Sequence, residues 1–113
     1  MHGYFRIISE DIQEHQAIFH VELLPSCPVY AGHFPGNPIA PGACNIEMVR
    51  QCASIALQRE VRIAGIRLCK FMKLLRPGTS ETLTLQLSWQ DDTLSAAVMS
   101  GTDMAIQLKM NIR

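Results

Sequence analysis

The chain has 113 residues, 48% of them hydrophobic, which suits one domain over residues 1–113 with a real core; a domain this small gains much from burying surface in a partner. Ten basic and ten acidic residues give a formal charge of zero, so the electrostatic footprint of a nucleic-acid binder is missing. Cys27, Cys44, Cys52 and Cys69 show no CxxC spacing, the first residues do not read as a signal peptide, and no apolar run approaches the ~18 residues of a membrane span; these point to a soluble, reducing, cytoplasmic setting.

In chain order, residues 4–9 and 16–24 read as strands, the second alternating Ala17, Phe19, Val21 and Leu23 against Gln16, Ile18, His20 and Glu22. The charged pairs Glu10-Asp11 and Glu14-His15 are expected to lie between them. Pro25 and Pro28 then break regular structure. The segment Gly32-His33-Phe34-Pro35-Gly36-Asn37-Pro38-Ile39-Ala40-Pro41-Gly42 holds three of the six prolines and three of the seven glycines. Pro fixes φ and restricts the residue before it, so this composition predicts a loop held in one shape.

From Ala43 to Leu57 the chain lacks Pro and Gly, and a helical period sets Glu47, Gln51, Ser54 and Gln58 on one stripe. Ile46, Val49, Ala53, Ala56 and Leu57 cover the other side, with Met48, Cys52 and Ile55 on the flank. Arg50 alone interrupts the apolar surface, so the helix is expected to be nearly buried with one polar line. Val61 to Leu75 reads as extended and interrupted at Gly65, and Pro77-Gly78 as a turn. Residues 82–89 place Leu83, Leu85, Leu87 and Trp89 on one face, and Asp91-Asp92 turns the chain. A strand from Thr93 to Ser100, a turn at Gly101-Thr102-Asp103, and a strand with Met104, Ile106, Leu108, Met110 and Ile112 on one face complete an antiparallel meander. The fold class is α+β, a curved antiparallel sheet wrapped around one long helix.

These residues carry a resemblance. Gly32-His33-Phe34-Pro35-Gly36-Asn37-Pro38, then Ala40-Pro41-Gly42, then Glu47 fourteen positions after His33 and Gln51 four further on, resembles the FabZ-type 3-hydroxyacyl-acyl carrier protein dehydratases of the hotdog fold. It is dense over residues 30–58 and weaker over Lys70 to Leu87, where Lys70-Phe71-Met72-Lys73-Leu74-Leu75-Arg76-Pro77-Gly78 is similar to the family's strand and turn after the helix. The implied reaction removes water from a 3-hydroxyacyl thioester to give a trans-2-enoyl thioester. It needs a base for the C2 proton, a donor for the thioester oxygen, and an acid for the departing C3 hydroxyl. His33 suits the base, since imidazole titrates near neutrality. The N-H of Gly42, at the positive end of the helix dipole, suits the thioester oxygen. Glu47 suits the acid, giving its proton to the leaving hydroxyl or holding that hydroxyl through water, its pKa expected to be raised by an apolar helix surface, with Gln51 orienting it and Phe34 and Pro41 in supporting places.

The resemblance further implies a homodimer, or a higher oligomer built from it, in which two sheets join edge to edge and His33 of one chain faces Glu47 of the other. It implies an acyl tunnel along the helices, no cofactor and no metal, and acyl carrier protein as the partner that brings the substrate on its phosphopantetheine arm. Arg59, Arg62, Arg67, Lys70, Lys73 and Arg76 are candidates for a basic rim that receives it. Glu rather than Asp at position 47 is similar to the branch that does not isomerise the double bond. Fatty-acid, lipid A, polyketide and aryl polyene synthesis all use such dehydratases. Two features depart from the family: the chain is shorter than typical members, so loops that close the tunnel are expected to be missing, and Arg50 stands where a small or apolar residue is usual. Arg50 is expected either to pair with an acidic group at the interface or to narrow the tunnel.

Simpler readings exist for each feature. His33 by itself could cap a loop, and Glu47 with Gln51 could be a solvated stripe. The cysteines read as small buried thiols, the methionines as core filler, and most of the basic residues as a solvated face. Two alternative functions are a hotdog acyl thioesterase and a non-catalytic acyl-binding hotdog module paired with an active chain, the latter favoured if side chains fill the tunnel.

Overall fold

The computed structural model describes residues 3–32, 39–78 and 82–113. Six strands form a single antiparallel sheet: β1 (Phe5–Ile12), β2 (Gln16–Leu23), β3 (Ile63–Phe71), β4 (Leu83–Gln90), β5 (Thr93–Ser100) and β6 (Asp103–Ile112). Their order across the sheet is β1-β2-β4-β5-β6-β3. A short 3-10 turn, Pro28–Gly32, and the helix α1 (Gly42–Leu57) separate β2 from β3. The connection through α1 therefore carries the chain from one half of the sheet to its far edge, where β3 pairs with β6 alone.

The period-two alternation of the strands decides what faces the helix. Phe19, Val21, Leu85, Leu87, Leu94, Val98, Leu108 and Met110 are buried on one side of the sheet, and they share one core with Met48, Val49, Cys52 and Ala53 of α1. Burying an aliphatic or aromatic side chain of this size contributes roughly 1.5–3 kcal/mol. This shared core is what fixes the helix against the sheet. The β4–β5 hairpin closes with Gln90 opposite Thr93 and Asp91-Asp92 between them, Asp91 taking φ 54°, a left-handed conformation that Asp tolerates better than most residues.

The expected architecture holds, with local differences. β1 continues through Glu10 and Asp11 to Ile12, because this edge strand keeps pairing with β2 past a bulge between Ile7 and Ser9, and its charged side chains reach water. Met104 does not join the buried face of β6. A register shift places Val98 opposite Ile106 but Met99 opposite Met104, so Ala105 is the extra residue and Met104 lies 40% exposed. On α1, Met48 and Cys52 sit at the centre of the buried face rather than on its flank, whereas Ile55 is exposed. Cys69 is exposed on β3, unlike the three buried cysteines, and Met72 just beyond that strand is exposed as well, so neither is core filler.

The edge strand β3 has an unusual surface. Ile66, Phe71, Met72 and Leu74 are each about half exposed or more, and the outer backbone edge of β3 has no neighbouring strand among the described residues. Among the described residues, no helix is long and apolar enough to cross a membrane.

Leu85, fully buried on the central strand β4, reports on the shared core. Replacement by Ala is expected to cost about 2–5 kcal/mol, measured as a lower urea midpoint with an unchanged slope.

Candidate active site

The helix begins where the Pro/Gly segment ends. Pro41 is the N-cap with φ −65° and ψ 140°, an extended conformation that it adopts without strain, and its carbonyl accepts the first helical bond from the Asn45 N-H at 3.1 Å. Pro41 has no side chain able to cap, so the N-H groups of the first turn, Gly42 included, have no acceptor within the helix. The approach is tied down by the Ala40 N-H, which donates to the Leu75 carbonyl at 2.7 Å. The missing side chain of Gly42 leaves room for an aromatic neighbour. A Cβ built there would lie 2.9 Å from the tip of the Phe71 ring, so the aromatic side chain of the edge strand rests directly against the start of the helix.

Five residues into α1, about 7.5 Å along its axis at 1.5 Å per residue, Glu47 projects from the face turned away from the sheet core. It is not a free carboxyl. Arg50 Nε donates to both carboxylate oxygens at 2.9 Å, and Nη2 donates to Oε1 at 2.6 Å. Gln51 Nε2 is 3.4 Å from the same oxygen, a long contact. Arg50 is itself anchored, with Nη1 donating to the Val61 carbonyl at 2.9 Å. Ser54 closes the cluster by donating to the Arg50 carbonyl at 3.1 Å and accepting from the Val61 N-H at 3.0 Å. Val61 is fully buried, so the polar line of the helix is braced against the core through one residue.

This geometry corrects one expectation. The hydrogen bonds from Arg50 hold the Glu47 carboxyl below its ordinary pKa, outweighing a partial burial that pushes the other way, and Gln51 adds to the lowering. Glu47 is thus a carboxylate at neutral pH rather than a persistent acid. Arg50 in turn is raised, chiefly by its bonds to Glu47. Its acidic partner is in its own chain, three residues away, rather than across an interface.

On the opposite side of the first helical turn, Asn45 is almost completely buried and accepts a hydrogen bond from the Tyr4 hydroxyl at 2.5 Å. The Tyr4 ring stacks on Tyr30 with centroids 6.3 Å apart. Burial pushes both phenols above their ordinary pKa, so both remain neutral, and Tyr4 is the donor to Asn45. Tyr30, at the entry to the Pro/Gly segment, is therefore packed on a residue that is bonded to the helix start. Sequence reasoning missed this trio, although Asn45 on an otherwise apolar helix face was a signal that a buried partner had to exist. Burial also pushes the Cys52 thiol up to about 12 and raises Cys44, which makes both un-ionised.

Of the residues expected to form the site, Pro41, Gly42, Glu47 and Gln51 lie on the cap and first three turns of α1; His33 and Phe34 lie outside the described residues. Of the basic candidates, Arg62 lies 3.6 Å from Glu60 and Lys73 3.4 Å from Asp103.

A single helix cupped by a six-stranded antiparallel sheet, with a carboxylate near the open start of that helix, defines a hotdog protein of the dehydratase type. The family described as ApeI-like, ApeI dehydratase, matches residues 9–109, and the chain belongs to it. It is 36% identical over 75 residues to the 3-hydroxyacyl-acyl-carrier-protein dehydratase FabZ of Oenococcus oeni, covering 60% of this chain and 54% of that one. The corresponding FabZ of Lactiplantibacillus plantarum is 37% identical over 86 residues, 67% of this chain and 58% of the relative. For FabZ of Chlamydia trachomatis the figures are 33% over 92 residues, 74% and 60%. The chain thus spans a little over half the length of the curated relatives it matches. Among solved structures, the dehydratase heterocomplex ApeI:P from Xenorhabdus doucetiae is similar with a TM-score of 0.84 and 27% identity, over 95% of this chain and 96% of that one. An uncharacterized protein from Erwinia carotovora subsp. atroseptica shares the fold, with a TM-score of 0.79 at 22% identity over 96% of this chain and 95% of its own.

Replacing Tyr4 by Phe leaves the buried Asn45 oxygen without its donor. A loss of about 1–3 kcal/mol is expected in denaturant unfolding, and replacing Asn45 by Leu in the Tyr4→Phe background should recover part of it.

Proposed function

We propose that the protein is a hydro-lyase that dehydrates 3-hydroxyacyl thioesters on acyl carrier protein to trans-2-enoyl thioesters. The observation that carries this reading is the Glu47 carboxylate, anchored by Arg50 and Gln51 about one and a half turns from the uncapped helix start at Gly42. The N-H of Gly42 binds the thioester oxygen as C2 loses its proton, where preorganised donors and the helix dipole stabilise the developing charge. His33, nine positions before Gly42, takes that proton. Glu47 lies at C3, where it engages the departing hydroxyl. No cofactor enters the chemistry, since the substrate arrives already activated as a thioester on its phosphopantetheine arm.

Purified protein with 3-hydroxyacyl carriers of graded chain length tests the assignment through formation of the enoyl thioester. His33→Ala and Glu47→Gln are each expected to lower kcat about 10²–10⁴-fold with unchanged thermal melting. Full activity in either variant sinks it.

The working unit is a homodimer joined through β3, with His33 of one chain facing Glu47 of the other. Support comes from the exposed apolar strip Ile66, Phe71, Met72 and Leu74 beside an unpaired strand edge, a surface that single chains seldom leave in water. Arg59, Arg62, Arg67, Lys70, Lys73 and Arg76 form the rim that receives the acidic carrier in the cytoplasm. Charge introduced at Ile66 is expected to shift light-scattering mass from dimer to monomer and to remove activity with it; a wild-type monomer that is active overturns this arrangement.

One observation favours a second reading, a non-catalytic hotdog module paired with an active chain: Arg50 occupies both oxygens of Glu47. The similar ApeI:P protein is a heterocomplex. Under that reading the purified chain is inert alone and its Glu47→Gln variant loses nothing in the complex.

A further inference from the structure

We infer that Arg50 is a positioning residue for the dehydration, holding Glu47 as an oriented carboxylate that accepts a hydrogen bond at C3 rather than donating a proton there. The inference rests on the dehydratase reading and deepens it.

Three features of the geometry carry it. The guanidinium reaches Glu47 through two nitrogens, with three contacts between 2.6 and 2.9 Å, so it constrains the plane of the carboxylate and not merely its charge. The fourth contact, from Nη1 to the Val61 carbonyl, ties the fork to backbone next to a fully buried side chain, which prevents the pair from swinging out together. Both side chains are mostly withdrawn from solvent, 25% exposed for Arg50 and 33% for Glu47, so water screens the interaction less than at an ordinary surface pair. Besides Arg50, Gln51 favours the ionised form of Glu47 and partial burial opposes it. Glu60, in the segment after α1, acts on Arg50 and reinforces its charge.

The proton balance follows. Dehydration releases one proton, from C2, and consumes one, on the hydroxyl that leaves C3 with the C–O electron pair. A Glu47 that is ionised throughout supplies none, so the base that removes the C2 proton must return it to the departing hydroxyl on the same face of the substrate. Glu47 then orients that hydroxyl by accepting its O–H, and Arg50 keeps the accepting oxygen in place.

Two substitutions separate charge from geometry. Arg50→Met removes both, and Arg50→Lys keeps a cation but loses the planar fork. The Glu47 carboxyl is followed by carbon NMR titration in wild type and both variants, alongside the pH profile of kcat/KM with a 3-hydroxyacyl carrier. In Arg50→Met the Glu47 midpoint is expected to rise, the acid limb of the profile to move up in pH with it, and kcat at neutral pH to fall at least tenfold. Arg50→Lys is expected to restore much of the titration but little of kcat, which a merely structural arginine does not predict. An unchanged Glu47 midpoint in Arg50→Met overturns the inference, as does a variant as active as wild type or more active, since the latter makes the acid form of Glu47 the working one. Should Arg50→Met fail to fold, Arg50→Lys with wild-type kcat overturns it equally. A wild-type protein inert towards every carrier brings down the dehydratase reading and the positioning role of Arg50 in it, whereas a Glu47 midpoint that still rises in Arg50→Met shows that the arginine sets the ionisation of Glu47 regardless.

Discussion

Everything at the candidate site depends on one packing constraint, the burial of α1 against the concave face of the sheet. Met48, Val49, Cys52 and Ala53 must enter the core made by Phe19, Val21, Leu85 and Leu94, and at 3.6 residues per turn that choice sets the rotation of the whole helix. Once it is set, Glu47, Arg50, Gln51 and Ser54 have to emerge on the other side. The start of the helix is equally constrained, by the Ala40 bond to Leu75 and by the Phe71 ring lying where a side chain at position 42 would stand. The carboxylate and the open amides are thus placed by the core rather than by each other.

Polar groups are arranged around this helix in two ways with different purposes. On the buried side, Asn45 and the two tyrosines exchange a desolvation cost for a specific connection, linking β1, the 3-10 turn and the first helical turn. On the outer side, Arg50 and Ser54 connect the helix to Val61 and leave one carboxylate ionised and aimed. The first network steadies the entry to the Pro/Gly segment, and the second decides the protonation state of the residue that follows it. Arg50 is thereby the strongest electrostatic influence on Glu47.

The sheet adds a further demand. Among the described residues five strand pairings are satisfied, but the outer edge of β3 and the apolar side chains along it are left uncovered. Phe71 belongs both to this edge and to the start of α1, so whatever covers β3 also meets the helix end that carries Gly42. The edge strand and the start of the helix thus share one aromatic ring.

Much of this was legible without coordinates. Alternating residues in β2, β4 and most of β6 identified the core-facing side chains, and the Pro/Gly segment ahead of an uninterrupted apolar run located the helix start within one residue, because these signals are local and act over one turn or one strand. Tertiary structure decided what depends on contacts between distant positions or on register. The bulge opposite Met99 turned Met104 outward, and β1 ran on through charged residues because β2 was there to pair with it. The partner of Asn45 lies 41 residues away in Tyr4, a separation no periodicity reveals. Position alone put Arg50 one helical turn from Glu47, but whether an arginine reaches back to a carboxylate or out to solvent depends on an acceptor to hold it. The Val61 carbonyl is that acceptor, and only the folded chain delivers it.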